Sequence, residues 1–175
     1  MILYKKQSGF TLVETLIYMA LFAMLSGLLI SSLVAMLRSY TEMRAQNDIL
    51  SSARVAMERM TREIREADSV DTTSSTLGSS PGILKLNTTT SGGSAKTVQF
   101  SKNGTSGVIE ILDSSDGTAR SLTGTKVSVT SLIFRNITTT AGSAVRIEMT
   151  LQELRGGSSG RSFDFYDTVA LRGSY

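Results

Sequence analysis

The 175-residue chain contains no histidine and no cysteine, which removes the residues on which much enzyme chemistry depends. Without them the protein cannot form a Ser-His or Cys-His nucleophile pair, an imidazole or thiolate metal site, or a disulfide. A general acid or base would have to be a carboxylate, a lysine or a tyrosine, and no spacing singles out such a pair. We therefore expect neither enzymatic activity nor a bound cofactor or metal.

An excess of charge of one sign is also lacking. The chain has 18 Lys and Arg residues against 15 Asp and Glu residues, for a net charge of +3. From residue 69 onward, 10 basic residues face 8 acidic ones, and no basic cluster is interleaved with aromatic residues. On this basis we expect no nucleic acid partner.

The longest uncharged stretch covers residues 15–37, with the sequence TLIYMALFAMLSGLLISSLVAML. A helix of that length spans about 35 Å, enough to cross a hydrocarbon core of about 30 Å with some tilt. The alternative is a buried helix of a globular protein, but such helices rarely run that long without a charge. The composition therefore predicts a single membrane-spanning helix.

The residues on each side of this span predict its orientation. Lys5 and Lys6 precede the span, and positively charged residues favour the cytoplasmic side of a membrane. The charged residues that follow the span balance one another: Arg38, Glu42, Arg44 and Asp48. We expect the N-terminus in the cytoplasm and the rest of the chain, from about Arg38, on the far side. A secretory signal peptide fits less well, because its apolar core is shorter and no small-x-small site follows the span.

A carboxylate lies at the edge of the apolar stretch. The sequence GFTLVE, from Gly9 to Glu14, places a glycine, an aromatic residue and an ionisable group where the apolar helix begins. A lone carboxylate at the margin of a bilayer is costly and usually has a partner. The alternative is that Glu14 only favours the positive end of the helix dipole or reaches the headgroup layer.

The stretch from Lys5 to Glu14, KKQSGFTLVE, together with the apolar run resembles the processing site of type IV prepilins and pseudopilins. The resemblance implies cleavage between Gly9 and Phe10 by a membrane-embedded prepilin peptidase, and N-methylation of Phe10. It also implies assembly contacts at Glu14 and Thr11, with Glu14 facing the methylated amine of a neighbouring subunit. The implied partners are the peptidase, other pilin or pseudopilin subunits, an assembly platform membrane protein and the inner membrane.

An amphipathic pattern continues the helix beyond the span. Apolar residues recur at spacings of three and four, which predicts one helix over residues 10–67 with one face packed on a domain rather than in a free coiled coil. We expect ion pairs between Glu58 and Arg62 and between Arg62 and Glu66, and core packing for Met43, Met57 and Met60. Residues 53–70 also resemble minor pseudopilins, particularly the pseudopilin J group. The predicted stripe is Leu50, Ala53, Met57, Met60, Ile64 and Ala67.

The pattern of residues 68–175 predicts a β-rich globular head. Val145, Ile147, Met149 and Leu151 alternate with polar residues, which is typical of a half-buried strand, and a bulge is expected near Ser131. Residues 72–80 and 88–94 are expected to be mobile loops. Glycine-containing turns are expected at 103–104, 116–117 and 156–157. The predicted strands cover residues 82–87, 96–101, 107–112, 126–135, 144–154 and 162–172.

Two carboxylates in the head admit a second interpretation. Asp113 and Asp116 precede Gly117, and a calcium loop would use such residues. A hairpin turn is the better fit, because the spacing supplies too few carboxylates and misses the twelve-residue pattern of calcium loops.

Together these patterns predict an α+β, type IV pilin-like fold, in which one long N-terminal helix packs against an antiparallel β-sheet head. The expected divisions are a leader (1–9), a transmembrane and assembly helix (10–37), its amphipathic continuation (38–67) and the head (68–175). The resemblance implies a minor subunit of a type II secretion pseudopilus or a type IV pilus. Two alternatives remain open: a pilus-associated module that binds DNA or a client, and a tethered domain that does not polymerise.

Overall fold

The computed structural model describes residues 9–90, 92–140, 142–155 and 158–172. The chain forms two compact units, which divide between Arg44 and Ala45. Helix α1, Leu12–Glu66, contributes to both units. Lys5, Lys6 and the turn expected at 156–157 lie outside the described residues.

The two ends of α1 lie close to the predicted ones, and local hydrogen bonds explain both. The helix begins at Leu12 rather than at residue 10, because Thr11 is the N-cap: its Oγ1 accepts a hydrogen bond from the backbone N–H of Glu14, at 3.3 Å. At the other end, the hydroxyl of Thr88 donates to the carbonyl oxygen of Glu66, at 3.2 Å. This bond satisfies one of the carbonyls that every helix leaves unpaired at its C-terminus.

The C-terminal half of α1 buries one stripe of residues, which is turned slightly from the predicted one. Ile49 and Ala56 are buried, whereas the predicted Leu50 is 52% exposed and Met57 is only partly buried. The predicted Ala53, Met60, Ile64 and Ala67 are buried. The prediction was wrong by one position at Leu50 and Met57, because both neighbours of each pair are apolar and the spacing alone does not choose between them. The buried stripe is Ile49, Ala53, Ala56, Met60 and Ile64.

Other predictions for α1 were wrong as well. Met43, expected in the core, is 61% exposed within the unit that ends at Arg44. The ion pair that forms in this part of the helix joins Arg59 to Glu63, with Nη2 and Oε1 2.6 Å apart, rather than the expected pairs of Arg62. The carboxylate of Glu63 is almost fully buried, and the guanidinium of Arg59 supplies its opposite charge.

The strands form two antiparallel sheets beside the long helix, so the fold class is the predicted α+β one. In both sheets the strands lie side by side in chain order. The five-stranded sheet contains β1 (Ser69–Val70), β2 (Leu84–Thr89), β3 (Ala95–Lys102), β4 (Ile109–Asp113) and β5 (Ala119–Ser121). The three-stranded sheet contains β6 (Val127–Thr139), β7 (Gly142–Arg155) and β8 (Ser158–Ala170).

One hydrophobic core joins α1 to both sheets. The predicted alternation in β7 is confirmed, since Val145, Ile147, Met149 and Leu151 are all buried. The bulge is confirmed too, because the β6–β7 register shifts between Val129 and Ser131. The other strand residues of the core are Leu84, Leu86, Val98, Phe100, Ile109, Ile111, Val127, Val129, Leu132, Phe134 and Val169.

The expected loop at residues 72–80 is held by hydrogen bonds instead of standing free. The Asp71 carboxylate accepts the N–H groups of Thr73 and Ser74, both at 3.1 Å. The N–H of Gly78 donates to the carbonyl of Phe134 in β6, at 2.8 Å. The loop therefore fastens the first sheet to the second. Two residues of the other expected loop, 88–94, belong to β2, which runs on to Thr89. A hydrogen bond from the N–H of Thr90 to the carbonyl of Ser94, at 2.8 Å, closes the turn that follows; residue 91 lies outside the described residues.

Candidate membrane and assembly segment

The N-terminal part of α1 presents an apolar surface that nothing in its own unit covers. Every large apolar side chain from Leu12 to Leu37 is exposed, from Val34 at 41% to Leu12 at 76%. Among the described residues, α1 is the one helix long and apolar enough to cross a membrane. In water such a surface would be strongly unfavourable, so it requires lipid or other apolar helices around it.

Glu14 is the one carboxylate in the first turn of this helix. It is partly buried, and Oε1 accepts a hydrogen bond from the phenol of Tyr18, with the two oxygens 3.1 Å apart. The ring of Phe10 packs edge-on against the ring of Tyr18, with centroids 6.1 Å apart and the planes at 70°. The structure thus brings together Phe10 and Glu14, two predicted site residues, through Tyr18.

Tyr18 was missed by the sequence reasoning, which treated it as part of the apolar span. The signal that would have found it is its position four residues after Glu14, where the two side chains share one face of a helix. The capping role of Thr11 was missed for a similar reason. Threonine at the N-cap, followed three residues later by glutamate, is a capping-box pattern, of which the structure forms the half that runs from the Glu14 N–H to Thr11.

Gly9 lies just before the helix, and its surroundings are open. A Cβ atom built on Gly9 would meet no atom within 4 Å, and the same holds for Gly27 inside the apolar segment. The fold of this chain therefore does not itself require a glycine at position 9. Any requirement for glycine there must come from another molecule that approaches the backbone.

The apolar segment ends in a pair of amphipathic side chains. The Arg44 guanidinium lies 4.5 Å from the centroid of the Tyr40 ring, and its Nη2 donates to the Tyr40 hydroxyl at 2.6 Å. Tyrosine and arginine at the end of an apolar helix are typical of a membrane–water interface.

The acidic side chains in the described part of the head do not gather into a metal-binding cluster. In the described ranges no group of three or more Asp, Glu, His or Cys residues could hold a metal ion. The possible calcium loop is a hairpin turn, in which the Asp113 carboxylate accepts the hydroxyl and the N–H of Ser115, at 2.7 and 2.9 Å. These bonds, together with Lys96, lower the pKa of Asp113 to about 2.

One open groove of about 590 Å³ lies between α1 and β8. Three arginines and three carboxylates line it, so it favours neither a cationic nor an anionic ligand. The charged groups are Arg54, Arg62, Arg65, Glu58, Glu66 and Asp167.

Comparison with known proteins identifies the N-terminal segment. The model of the prokaryotic N-terminal methylation motif matches residues 4–30. No curated protein and no solved structure shows significant similarity to the chain. The chain therefore carries a prepilin-type methylation motif, on an α+β, type IV pilin-like fold with a long apolar N-terminal helix. The motif and the helix together indicate that the protein is anchored in a membrane.

Proposed function

We propose that this protein is a structural subunit of a pilus-like filament, and that it is not an enzyme. The observation that carries the proposal is the exposed apolar helix of residues 12–37, which begins with a single carboxylate inside a methylation motif. In this view the segment first anchors the subunit in the inner membrane and then packs against the same segment of other subunits. The same proposal divides the chain into a leader (1–9), a transmembrane and assembly helix (10–37), its amphipathic continuation (38–67) and the head (68–175).

Maturation is the first step of this function. A prepilin peptidase cuts between Gly9 and Phe10 and releases the leader, which contains Lys5 and Lys6. Phe10 is then N-methylated. The lysines keep the leader in the cytoplasm, where the positive-inside rule places them, and the head lies on the periplasmic or extracellular side. The open surroundings of Gly9 support this assignment, since an extended backbone without a side chain can enter a protease cleft.

Assembly is the second step, and it depends on charge pairing. The carboxylate of Glu14 pairs with the methylated amine of Phe10 from a neighbouring subunit, and Thr11 lies in the same contact. Two charges that are costly to bury singly enter the apolar filament core as a pair. The partners are therefore other pilin or pseudopilin subunits, with an assembly platform membrane protein that inserts them.

Within this class we propose a minor subunit, similar to pseudopilin J, of a type II secretion pseudopilus or a type IV pilus. Two features support that role. The absence of cysteine departs from pilins whose head carries a disulfide-bounded loop. The presence of Glu14 favours a subunit that makes the ordinary contact with its neighbours.

Mass spectrometry of the protein isolated from its native membrane tests this function. We expect a chain that starts at Phe10 and carries one added methyl group, and a chain that keeps residues 1–9 when the peptidase is inactivated. Intact N-terminal residues in cells with active peptidase would overturn the proposal and leave a tethered domain.

A further inference from the structure

The carboxylate of Glu14 has a partner within its own helix before any neighbouring subunit arrives. Tyr18 donates its phenolic hydrogen to Oε1 of Glu14, and the Tyr18 ring also contacts the Phe10 ring. Two other hydroxyls of the segment bond to the backbone instead. Thr15 donates to the carbonyl of Leu12, and Ser31 donates to the carbonyl of Leu28. Tyr18 is thus the side chain of this helix that bonds to the Glu14 carboxylate.

We propose that Tyr18 is a positioning residue that keeps Glu14 available to a neighbouring subunit. The inference rests on the proposed function, since it concerns the state of the subunit in the membrane before assembly. The phenol stabilises the carboxylate in lipid, where an unpaired charge is costly. Tyr18 lies one turn after Glu14, so the bond also draws the carboxylate away from the local partners, which lie one turn before it.

Two local partners compete for this carboxylate. The backbone N–H of Thr11 is the group that glutamate accepts in a complete capping box, and the α-amine created at Phe10 lies four residues before Glu14 in sequence. A carboxylate paired with its own chain in either way offers less to a neighbour. In the structure the side chain of Glu14 does not accept the N–H of Thr11; it accepts the phenol of Tyr18 instead.

The phenol leaves the carboxylate able to accept a second partner. A carboxylate has two oxygens and about four acceptor sites, and the Tyr18 bond uses one of them on Oε1. The incoming amine of another subunit can therefore bind without first displacing the phenol. The Phe10 ring, which rests against Tyr18, holds the first residue of the mature chain beside the same cluster.

The test compares Tyr18→Phe with a matched control, Tyr40→Phe, in the full-length protein expressed with its own assembly system. Both substitutions remove one hydroxyl from α1, but the Tyr40 hydroxyl bonds to Arg44 beyond the apolar segment. We expect Tyr18→Phe to lower incorporation into filaments by about tenfold, the size expected for a hydrogen bond to a charged group. Leader removal and membrane level should stay at the wild-type values, and Tyr40→Phe should remain within about twofold of the wild type.

A second comparison separates positioning from packing. In a Glu14→Gln background, Tyr18→Phe should cause no further loss, because its effect passes through the carboxylate. Incorporation of Tyr18→Phe at the wild-type level, or an equal loss in both backgrounds, would overturn the proposal.

A spectroscopic measurement keeps the inference testable even if Glu14→Gln abolishes assembly. The unassembled protein is prepared in detergent micelles with 3-fluorotyrosine at position 18, and its ¹⁹F resonance is compared with that of the Glu14→Gln and Glu42→Gln variants. We expect Glu14→Gln to shift the resonance and Glu42→Gln to leave it unchanged; an unshifted resonance in Glu14→Gln would refute the Tyr18 bond. Because this experiment needs no filament, its failure is distinct from a failure of the proposed function, which the mass of the mature chain tests.

Discussion

Thr61 of α1 donates a hydrogen bond to Asp167 of β8, with Oγ1 and Oδ2 3.0 Å apart. The bond joins the helix to the edge strand of the three-stranded sheet, next to a core that contains Met60 and Ile64. It therefore fixes the side of the helix that the buried stripe does not reach.

Removing this bond should loosen the helix at the sheet edge. We expect Thr61→Val to lower the free energy of unfolding by about 1 kcal/mol, because Oδ2 of Asp167 loses its donor while the side-chain volume is kept. Chemical denaturation of the detergent-solubilised protein, followed by circular dichroism, measures the change. Thr72→Val, at an exposed position in the loop, serves as control; equal effects of the two variants would contradict this role.

Two methionines of the same helix should respond very differently to truncation. Met60 is fully buried and Met43 is mostly exposed. Met60→Ala should lower the free energy of unfolding by about 2–5 kcal/mol, because it leaves a cavity between helix and sheets. Met43→Ala should change it by less than about 0.5 kcal/mol in the same denaturation experiment. If Met43 were the costlier site, the packing face of α1 would be wrongly assigned.

Glycine at position 9 should matter to processing and not to folding. Gly9→Val is expected to block leader removal, because a branched side chain keeps the scissile backbone from the peptidase. Gly27→Val is the matched control, since a Cβ at either glycine meets open space. A gel shift of the membrane-inserted protein reports cleavage. Normal maturation of the Gly9 variant would place the cut elsewhere.

Loss of the carboxylate should affect assembly and leave earlier steps intact. We expect Glu14→Ala to be inserted and cleaved but to enter filaments poorly, since an amine left unpaired in an apolar core costs about 3–5 kcal/mol. Quantification of the subunit in sheared filaments measures this loss. Glu42→Ala changes a carboxylate of the same helix beyond the apolar segment, and should assemble normally. Efficient incorporation of Glu14→Ala would show that assembly does not depend on pairing of the Glu14 carboxylate with the amine of a neighbouring subunit.

The turn at Asp113 should make the stability of the head depend on pH in acid. The bonds from Ser115, with Lys96, depress the pKa of Asp113 from 3.8 to about 2 in the folded protein. A depressed folded-state pKa stabilises the fold fully above about pH 4, and this contribution is lost as the pH falls toward 2. Asp113→Asn should therefore flatten the fall of unfolding free energy over that interval. Ser115→Ala should raise the Asp113 pKa toward its ordinary value, as an NMR titration would show, whereas Ser106→Ala in another turn should not. A slope unchanged by Asp113→Asn would contradict the assignment.

The parts of the fold that the sequence predicted are those with a strong repeating pattern. A long uncharged run, such as residues 15–37, predicts a helix in lipid. A strict alternation, such as that from Val145 to Leu151, predicts a half-buried strand. The strands β1 and β5 were missed, because Ser69–Val70 and Ala119–Ser121 are too short to show an alternation.

The errors arose where two neighbouring residues are both apolar, or where an uncharged side chain has a polar role. On α1 the buried positions are Ile49 and Ala56 instead of the predicted Leu50 and Met57. For the candidate site, the motif gave Gly9, Phe10 and Glu14 as site residues. It did not give Tyr18, because a phenol inside an apolar run carries no charge to draw attention to it.

The order of strands in both sheets bears on how the head comes to be folded. Each described strand pairing joins neighbours in the chain, from β1 with β2 to β7 with β8. Short closures of this kind cost little chain entropy and favour rapid formation. As the polypeptide emerges with α1 ahead of the strands, each hairpin can close on the one before it. The last strand then completes a sheet whose other members are already in place, so that translocation need not wait for distant segments to meet.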